Sequence, residues 1–151
     1  MKKTLTVALV VLVSLFAAVA VALPTILHKA GLHPEYTGER VELPSKRALV
    51  ITTSHGVLSE PGEVEGPPTG VMASEMTHPY YTFLDAGMEV DVASIKGGEI
   101  PVDPQTLLYM MKTPEDDRYL SDPVLQAKVE NSLRIDDVDF TQYDIVFLSG
   151  G

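Results

Sequence analysis

The stretch Thr69–Tyr81 (TGVMASEMTHPYY) decides the fold, because the predicted helix that joins two strands begins in it. It also places one carboxylate, Glu75, at the start of that helix. The helix is predicted over Met76–Ala86, where apolar side chains recur at helical spacing. Gly87 follows at the position of a helix C-cap glycine. The stretch therefore predicts a helix that opens at Glu75 and ends at a glycine.

Two predicted strands flank this helix. Arg47–Thr53 is short, apolar and rich in β-branched residues, which is typical of a buried strand. Met88–Ser94 alternates between apolar and polar residues, as a strand does. A strand, a helix and a second strand form a right-handed crossover in a parallel sheet, and such sheets bind ligands at the carboxyl ends of their strands. We therefore expect Glu75 on the ligand-binding side of an α/β sheet.

The composition limits the classes of function. A formal net charge of -10 argues against non-specific binding of nucleic acid. The 151 residues include no cysteine, so they offer no disulfide, no thiolate metal site and no cysteine nucleophile. The glycines form neither of the common phosphate-binding motifs, and we predict no cofactor.

Residues 1–27 are predicted to be a signal-anchor or transmembrane helix. A basic amino terminus precedes the apolar run Leu5–Leu27, whose length is near the roughly 20 residues that span a bilayer. With the basic terminus kept inside, the body would face the extracytoplasmic side. The motifs Ala18–Ala20 and Ala20–Ala22 also fit a signal peptidase site, and cleavage there would leave a secreted or periplasmic protein.

Two segments rich in glycine and proline are interpreted as a linker and a loop. Residues 28–46 form the linker, in which His28 and His33 lack a carboxylate partner and are interpreted as solvated rather than as a metal pair. Ser54–Gly70 is a loop that directly follows the first strand, where active-site rims are built. His55 is therefore a candidate rim residue, although a lone loop histidine is more often simply hydrated.

Three short helices are predicted before the last strand, at Pro104–Met111, Thr113–Leu120 and Asp122–Ser132. Thr113 and Asp122 are the predicted N-caps, each followed by proline at the first helical position. The acidic run Glu115–Asp117 complements the positive end of its helix. We expect this insertion to form a cap over the sheet.

The last predicted element is the strand Ile145–Ser149, which follows the loop Ile135–Asp144 and runs into Gly150 and Gly151. A glycine pair at the carboxyl end of a parallel strand lets backbone amides approach a ligand or an oxyanion closely. A tight turn explains the same pair equally well.

Taken together, these motifs resemble the DJ/PfpI superfamily, which has the class I glutamine-amidotransferase-like fold of intracellular proteases and amidases. The nearest branch is the chaperone and glyoxalase group. The motifs that carry the resemblance are Ala48–Thr53, Ser74–Met76, Pro79–Tyr80, Ala86–Ser94 and Asp139–Gly151. The resemblance covers residues 47–151. It implies a flavodoxin-like parallel sheet sandwiched by helices, incomplete at the carboxyl terminus and preceded by the hydrophobic helix.

The resemblance also implies site roles. Glu75 matches the family's acidic residue, which hydrogen-bonds the reactive cysteine and tunes its protonation. Gly150 and Gly151 match the glycine turn whose amides line the pocket. The family's cysteine lies further on, at a strand-to-helix elbow beside a histidine, and this chain ends before it. We therefore expect a fragment, with residues 47–151 as the amino-terminal part of the domain, that is inactive by itself.

Three functions remain open from the sequence. The intact protein is expected to be a membrane-anchored or exported cysteine-dependent hydrolase or lyase that acts on a small carbonyl or amide substrate. The first alternative is a non-catalytic, membrane-tethered chaperone or interaction domain of the same fold, and the second is an unrelated flavodoxin-like binding domain. The expected partners are a small-molecule substrate and the membrane, without nucleic acid. An exposed sheet edge invites pairing into a homodimer.

Overall fold

The computed structural model describes residues 2–31 and 36–150, and it separates the chain into two compact units, Met1–Gly38 and Glu39–Gly151. The helix of the first unit, α1, spans Lys2–Lys29. It therefore continues through His28, which the sequence analysis assigned to the linker. His33 lies outside the described residues.

The apolar part of α1, Lys3–Leu27, has a mean hydropathy of 2.8 and is long enough to cross a membrane. Its apolar side chains are exposed within the chain, as those of a lipid-facing helix are. A signal sequence at the amino terminus can be long and apolar enough to meet the same criterion. The helix is therefore compatible with a membrane anchor or with a signal sequence.

The second unit is built on a four-stranded sheet in which every paired strand is parallel. The strands are β1 (Arg47–Thr52), β2 (Glu89–Ser94), β3 (Leu133–Arg134) and β4 (Ile145–Leu148), in the order β3-β2-β1-β4. Because β2 and β4 lie on opposite sides of β1, the strand order reverses between β1 and β4. This is the position at which doubly wound sheets bind ligands, at the carboxyl ends of the strands. The predicted α/β, flavodoxin-like fold class is confirmed.

Alternate residues of the central strands point to opposite faces of the sheet, and each face carries an apolar cluster. One face carries Ala48, Val50, Val90 and Val92, and it packs against buried side chains of α2 (Ala73–Asp85) and α4 (Pro123–Glu130). The opposite face carries a smaller cluster of Leu49, Ile51 and Ala93 with Ile135, Val138 and Tyr143. The central strands β1 and β2 are therefore covered on both faces, by helices on one and by the segment before β4 on the other.

Helix α2 ends as predicted at Gly87. The Gly87 amide donates to the carbonyl of Leu84 at 3.0 Å, and the Met88 amide donates to the carbonyl of Phe83 at 3.1 Å. This pair of bonds is the Schellman motif, which requires a left-handed residue after the helix. Gly87 has φ +85°, a conformation that glycine adopts without strain.

The predicted N-caps of the next two helices are also confirmed. Thr113 caps α3 (Pro114–Ser121) by accepting from the Asp116 amide at 3.2 Å, and the Asp116 carboxylate accepts from the Thr113 amide at 2.9 Å. Asp122 caps α4 by accepting from the Val124 amide at 2.9 Å. Both helices therefore begin where the Thr-Pro and Asp-Pro pairs predict.

Several details differ from the prediction. Helix α2 begins at Ala73, two residues before the predicted start at Glu75. The helix predicted over Pro104–Met111 is a single 3-10 turn, Pro104–Leu107, because the extended backbone of Leu108 ends it. The two-residue strand β3 was not predicted. The insertion does not cap the sheet as a whole, since α4 packs on the sheet whereas α3 packs against α2.

Candidate functional site

An open groove of about 430 Å³ lies at the carboxyl end of β4, against the first turns of α2. Its lining residues come from these two elements and from the chain that follows β4. They are Ser74, Glu75, His78, Pro79, Phe147, Leu148, Ser149 and Gly150. The groove lies at the edge of the sheet at which ligands of doubly wound folds bind.

Glu75 is the third residue of α2, and its side chain is exposed in the groove. The positive end of the helix dipole stabilises a carboxylate at this position. The predicted pair of Glu75 and Gly150 therefore lines one groove, although 74 residues separate the two along the chain.

A proline explains how β4 is joined to α2 at this point. Pro79 lies four residues after Glu75 within α2, and proline has no amide hydrogen to donate to the carbonyl one turn back. The Ser149 hydroxyl donates to that Glu75 carbonyl at 2.8 Å. The Glu75 carbonyl, which receives no helical hydrogen bond from Pro79, thus links the first turn of α2 to the end of β4.

Gly150 has φ +107°, in the region that favours glycine. Apart from its neighbours in the chain, no heavy atom of the described residues lies within 4 Å of the position that a Cβ would take. The requirement for glycine is therefore conformational rather than steric. Gly151 lies outside the described residues.

His78 also lines the groove, one helical turn after Glu75. Its Nε2 lies 3.0 Å from a carboxylate oxygen of Glu115 on α3. This nitrogen is buried, and the contact is close enough for an ion pair but not aligned as a hydrogen bond. His78 was not predicted as a site residue from the sequence, although its spacing of three residues from Glu75 on a helix was a usable signal.

The other predicted candidate, His55, is exposed and is not among the residues that line this groove. Its amide donates to the Thr53 hydroxyl at 2.9 Å in the loop after β1. Within residues 2–31 and 36–150, no group of three or more histidine, aspartate or glutamate side chains is placed to hold a metal ion.

The groove thus combines a carboxylate, an imidazole and the Ser74 hydroxyl with the backbone of Gly150, whereas the Ser149 hydroxyl already donates to the Glu75 carbonyl. These groups can hold and move protons and can donate hydrogen bonds to an oxygen that becomes negatively charged. The 151 residues provide no cysteine to act as a nucleophile beside them.

No protein-family model and no curated protein sequence matches the chain. Solved structures do match. Rapid Encystment Protein 24 KDa (REP24) of Francisella tularensis is 36% identical, with a TM-score of 0.60, and the match covers 70% of this chain and 44% of that one. Glyoxalase III of Candida albicans is 26% identical, with a TM-score of 0.58, and the match covers 70% of this chain and 44% of that one.

Both of these proteins belong to the DJ-1/PfpI superfamily. The likeness supports the DJ-1/PfpI superfamily for this chain. The chain spans less than half the length of these two superfamily members.

Proposed function

We propose that this chain carries the acid-bearing part of a DJ-1/PfpI-type active site. The intact protein would be a cysteine-dependent hydrolase or lyase that acts on a small carbonyl or amide substrate. The observation that carries the proposal is the convergence of Glu75 and Gly150 on one groove at the carboxyl end of a parallel strand. The likeness to glyoxalase III supports the same class of chemistry.

In the proposed reaction, the cysteine sulfur bonds to the carbonyl carbon of the substrate, and the π bond of the carbonyl opens to leave an oxyanion. The thiol proton resides on Glu75, which lets the sulfur react as the thiolate. The Gly150 amide donates to the oxyanion, and such donors contribute most when they are fixed in place before the reaction.

We propose that the cysteine lies on a segment outside these 151 residues. Two findings support this: the chain has no cysteine, and it spans only 44% of each of the two solved relatives. The fragment status predicted from the sequence belongs to the same proposal.

We also propose that α1 tethers the protein to a membrane, with the body on the extracytoplasmic side. The length and hydropathy of Lys3–Leu27 support the tether. The orientation rests on the basic amino terminus. A cleaved signal would place the same site in a secreted or periplasmic protein.

The proposal is tested by replacing Glu75 with alanine in the full-length protein and following turnover of methylglyoxal and of an amide substrate. We expect turnover to fall by more than about tenfold, because general acid-base groups contribute roughly 10² or more. Glu130→Ala, which removes an exposed helical glutamate outside the groove, is the matched control and should retain turnover.

Unchanged turnover in Glu75→Ala would contradict the role of this carboxylate. Absence of turnover in the unmodified full-length protein with both kinds of substrate would instead favour the non-catalytic, membrane-tethered alternative.

A further inference from the structure

We propose that His78 contacts the substrate from the wall of the groove and that Glu115 is the residue that positions it. This inference rests on the proposed function, because it assigns a second side chain to the same reaction. Neither residue was identified as part of a site from the sequence, where Glu115 appeared only as a charge that complements a helix end.

The two sides of the His78 ring have different surroundings. Nε2 is buried against Glu115 at 3.0 Å, yet 43% of the side chain remains exposed. Since Nε2 itself is buried, the exposed fraction belongs to the other atoms of the side chain, and the residue lines the groove. One edge of the imidazole is held by a carboxylate while the rest is accessible to a bound molecule.

Glu115 is well placed to hold this ring because α3 is fixed firmly on α2. Next to Glu115, the buried Asp116 accepts a hydrogen bond from the Thr77 hydroxyl at 2.7 Å. At the other end of α3, Arg118 donates to Asp85 at 2.9 Å. Its guanidinium also lies 4.0 Å from the centre of the Tyr81 ring. The insertion that carries α3 therefore sets the position of a side chain in the groove.

A carboxylate that contacts one ring nitrogen of histidine favours the ring orientation that keeps the two groups together. With Nε2 turned toward Glu115, Nδ1 is the nitrogen left for the substrate. It can exchange a hydrogen bond with a polar group beside the carbonyl that reacts near Glu75. Glu115 contacts Nε2 of His78, and Glu75 is the carboxylate that lines the groove together with His78.

The test measures kcat and KM of the full-length protein for methylglyoxal in His78→Asn, in Glu115→Gln and in the double variant. We expect His78→Asn to lower kcat/KM about tenfold, the usual consequence of losing a substrate hydrogen bond. Glu115→Gln should lower it about threefold, and it should have no further effect when His78 is already replaced, because residues that act as a unit are not additive.

Asp117→Asn is the matched control, since Asp117 lies in the same first turn of α3 and pairs with Lys112 rather than with the groove. Its kcat/KM should stay within about twofold of the wild type. If His78→Asn does not fold, His78→Gln replaces it in the same cycle.

Unchanged kcat/KM in the His78 variants, with Glu75→Ala still impaired, would overturn this inference and leave the proposed function standing. Equal losses from Glu115→Gln in both backgrounds would overturn the positioning role, because Glu115 would then act without His78. A loss in His78→Asn while Glu75→Ala is unaffected would support His78 and contradict the role of Glu75.

Discussion

Strands β1 and β4 are parallel neighbours of similar composition, yet their side chains have very different environments. Leu49 of β1 is fully buried, whereas Leu148 of β4 is 71% exposed. β1 lies between two strands and beneath clusters on both faces. β4 is paired on one side only within the described part of the chain. For two strands of similarly apolar sequence, the burial of the side chains therefore depends on the strands and clusters that pack around them.

Although the side chains of β4 are poorly packed, hydrogen bonds hold the strand at both of its ends. Before the strand, the Asp144 carboxylate accepts from the Arg47 amide at 2.9 Å and from the Lys46 ammonium at 2.8 Å. After the strand, the Ser149 amide donates to the Ile51 carbonyl at 2.8 Å, while its hydroxyl reaches α2. Ser149, which makes the bonds after the strand, also lines the groove.

The largest expected effect comes from the same substitution made in each of the two strands. Leu49→Ala should lower the free energy of unfolding of this 151-residue chain by about 3 kcal/mol, because it leaves a cavity in a packed cluster. Leu148→Ala should lower it by less than about 1 kcal/mol, since the side chain is mostly exposed. Urea unfolding followed by circular dichroism measures both, and equal losses would contradict the difference in burial.

A smaller effect concerns Asp91, which crosslinks β1 and the segment before β4. Burial alone would raise the pKa of its carboxyl, but hydrogen bonds from Lys128, Tyr143 and Arg47 outweigh burial and lower it. These bonds are 2.9–3.0 Å long. Asp91→Asn should therefore reduce stability by about 1–3 kcal/mol at neutral pH, because it leaves charged partners uncompensated.

The pH dependence follows from the direction of this shift. A carboxyl with a lowered pKa in the folded state contributes stability above its unfolded pKa, near 3.9, and loses it as the pH falls through the folded pKa. Urea unfolding between about pH 6 and pH 2 should show the difference between wild type and Asp91→Asn shrinking in the acidic range. A difference that stays constant with pH would contradict this role of Asp91.

The smallest of the stability effects is expected at the anchor of β4. Ser149→Ala removes the hydrogen bond to the Glu75 carbonyl and should cost about 1 kcal/mol, the usual net value of a single bond. Hydrogen exchange should then show faster opening at the end of β4 than in β1. Equal acceleration in both strands would mean that the hydroxyl does not anchor β4 specifically.

The sequence predicts most of the fold because the elements around the site carry strong local signals. β1 and β4 are apolar runs, α2 ends at a glycine, and Thr113 and Asp122 are each followed by proline. β3 has only two residues, too few for any periodicity. Leu108 has no local signal for the extended backbone that ends the 3-10 turn, which depends on tertiary context.

The candidate site is predictable only in part, because two of its residues have local sequence signals and the others depend on contacts between distant segments. Glu75 stands out because it lies in the first turn of a helix that follows a strand and a loop, and Gly150 because it follows an apolar strand. The partner of His78 could not be predicted, since it lies 37 residues away on a helix expected over the sheet. The bond from Ser149 had a signal that was not used, namely a proline four residues after Glu75.

The central proposal is that Glu75 lowers the pKa of a cysteine thiol on a segment outside these 151 residues. The most direct measurement is the pH dependence of alkylation of that cysteine by iodoacetamide in the full-length protein, with and without Glu75→Ala. A carboxyl that hydrogen-bonds the thiolate lowers the thiol pKa, so we expect the substitution to raise the apparent pKa by about one unit or more. An unchanged or lowered pKa, or a full-length protein with no reactive cysteine, would contradict the account.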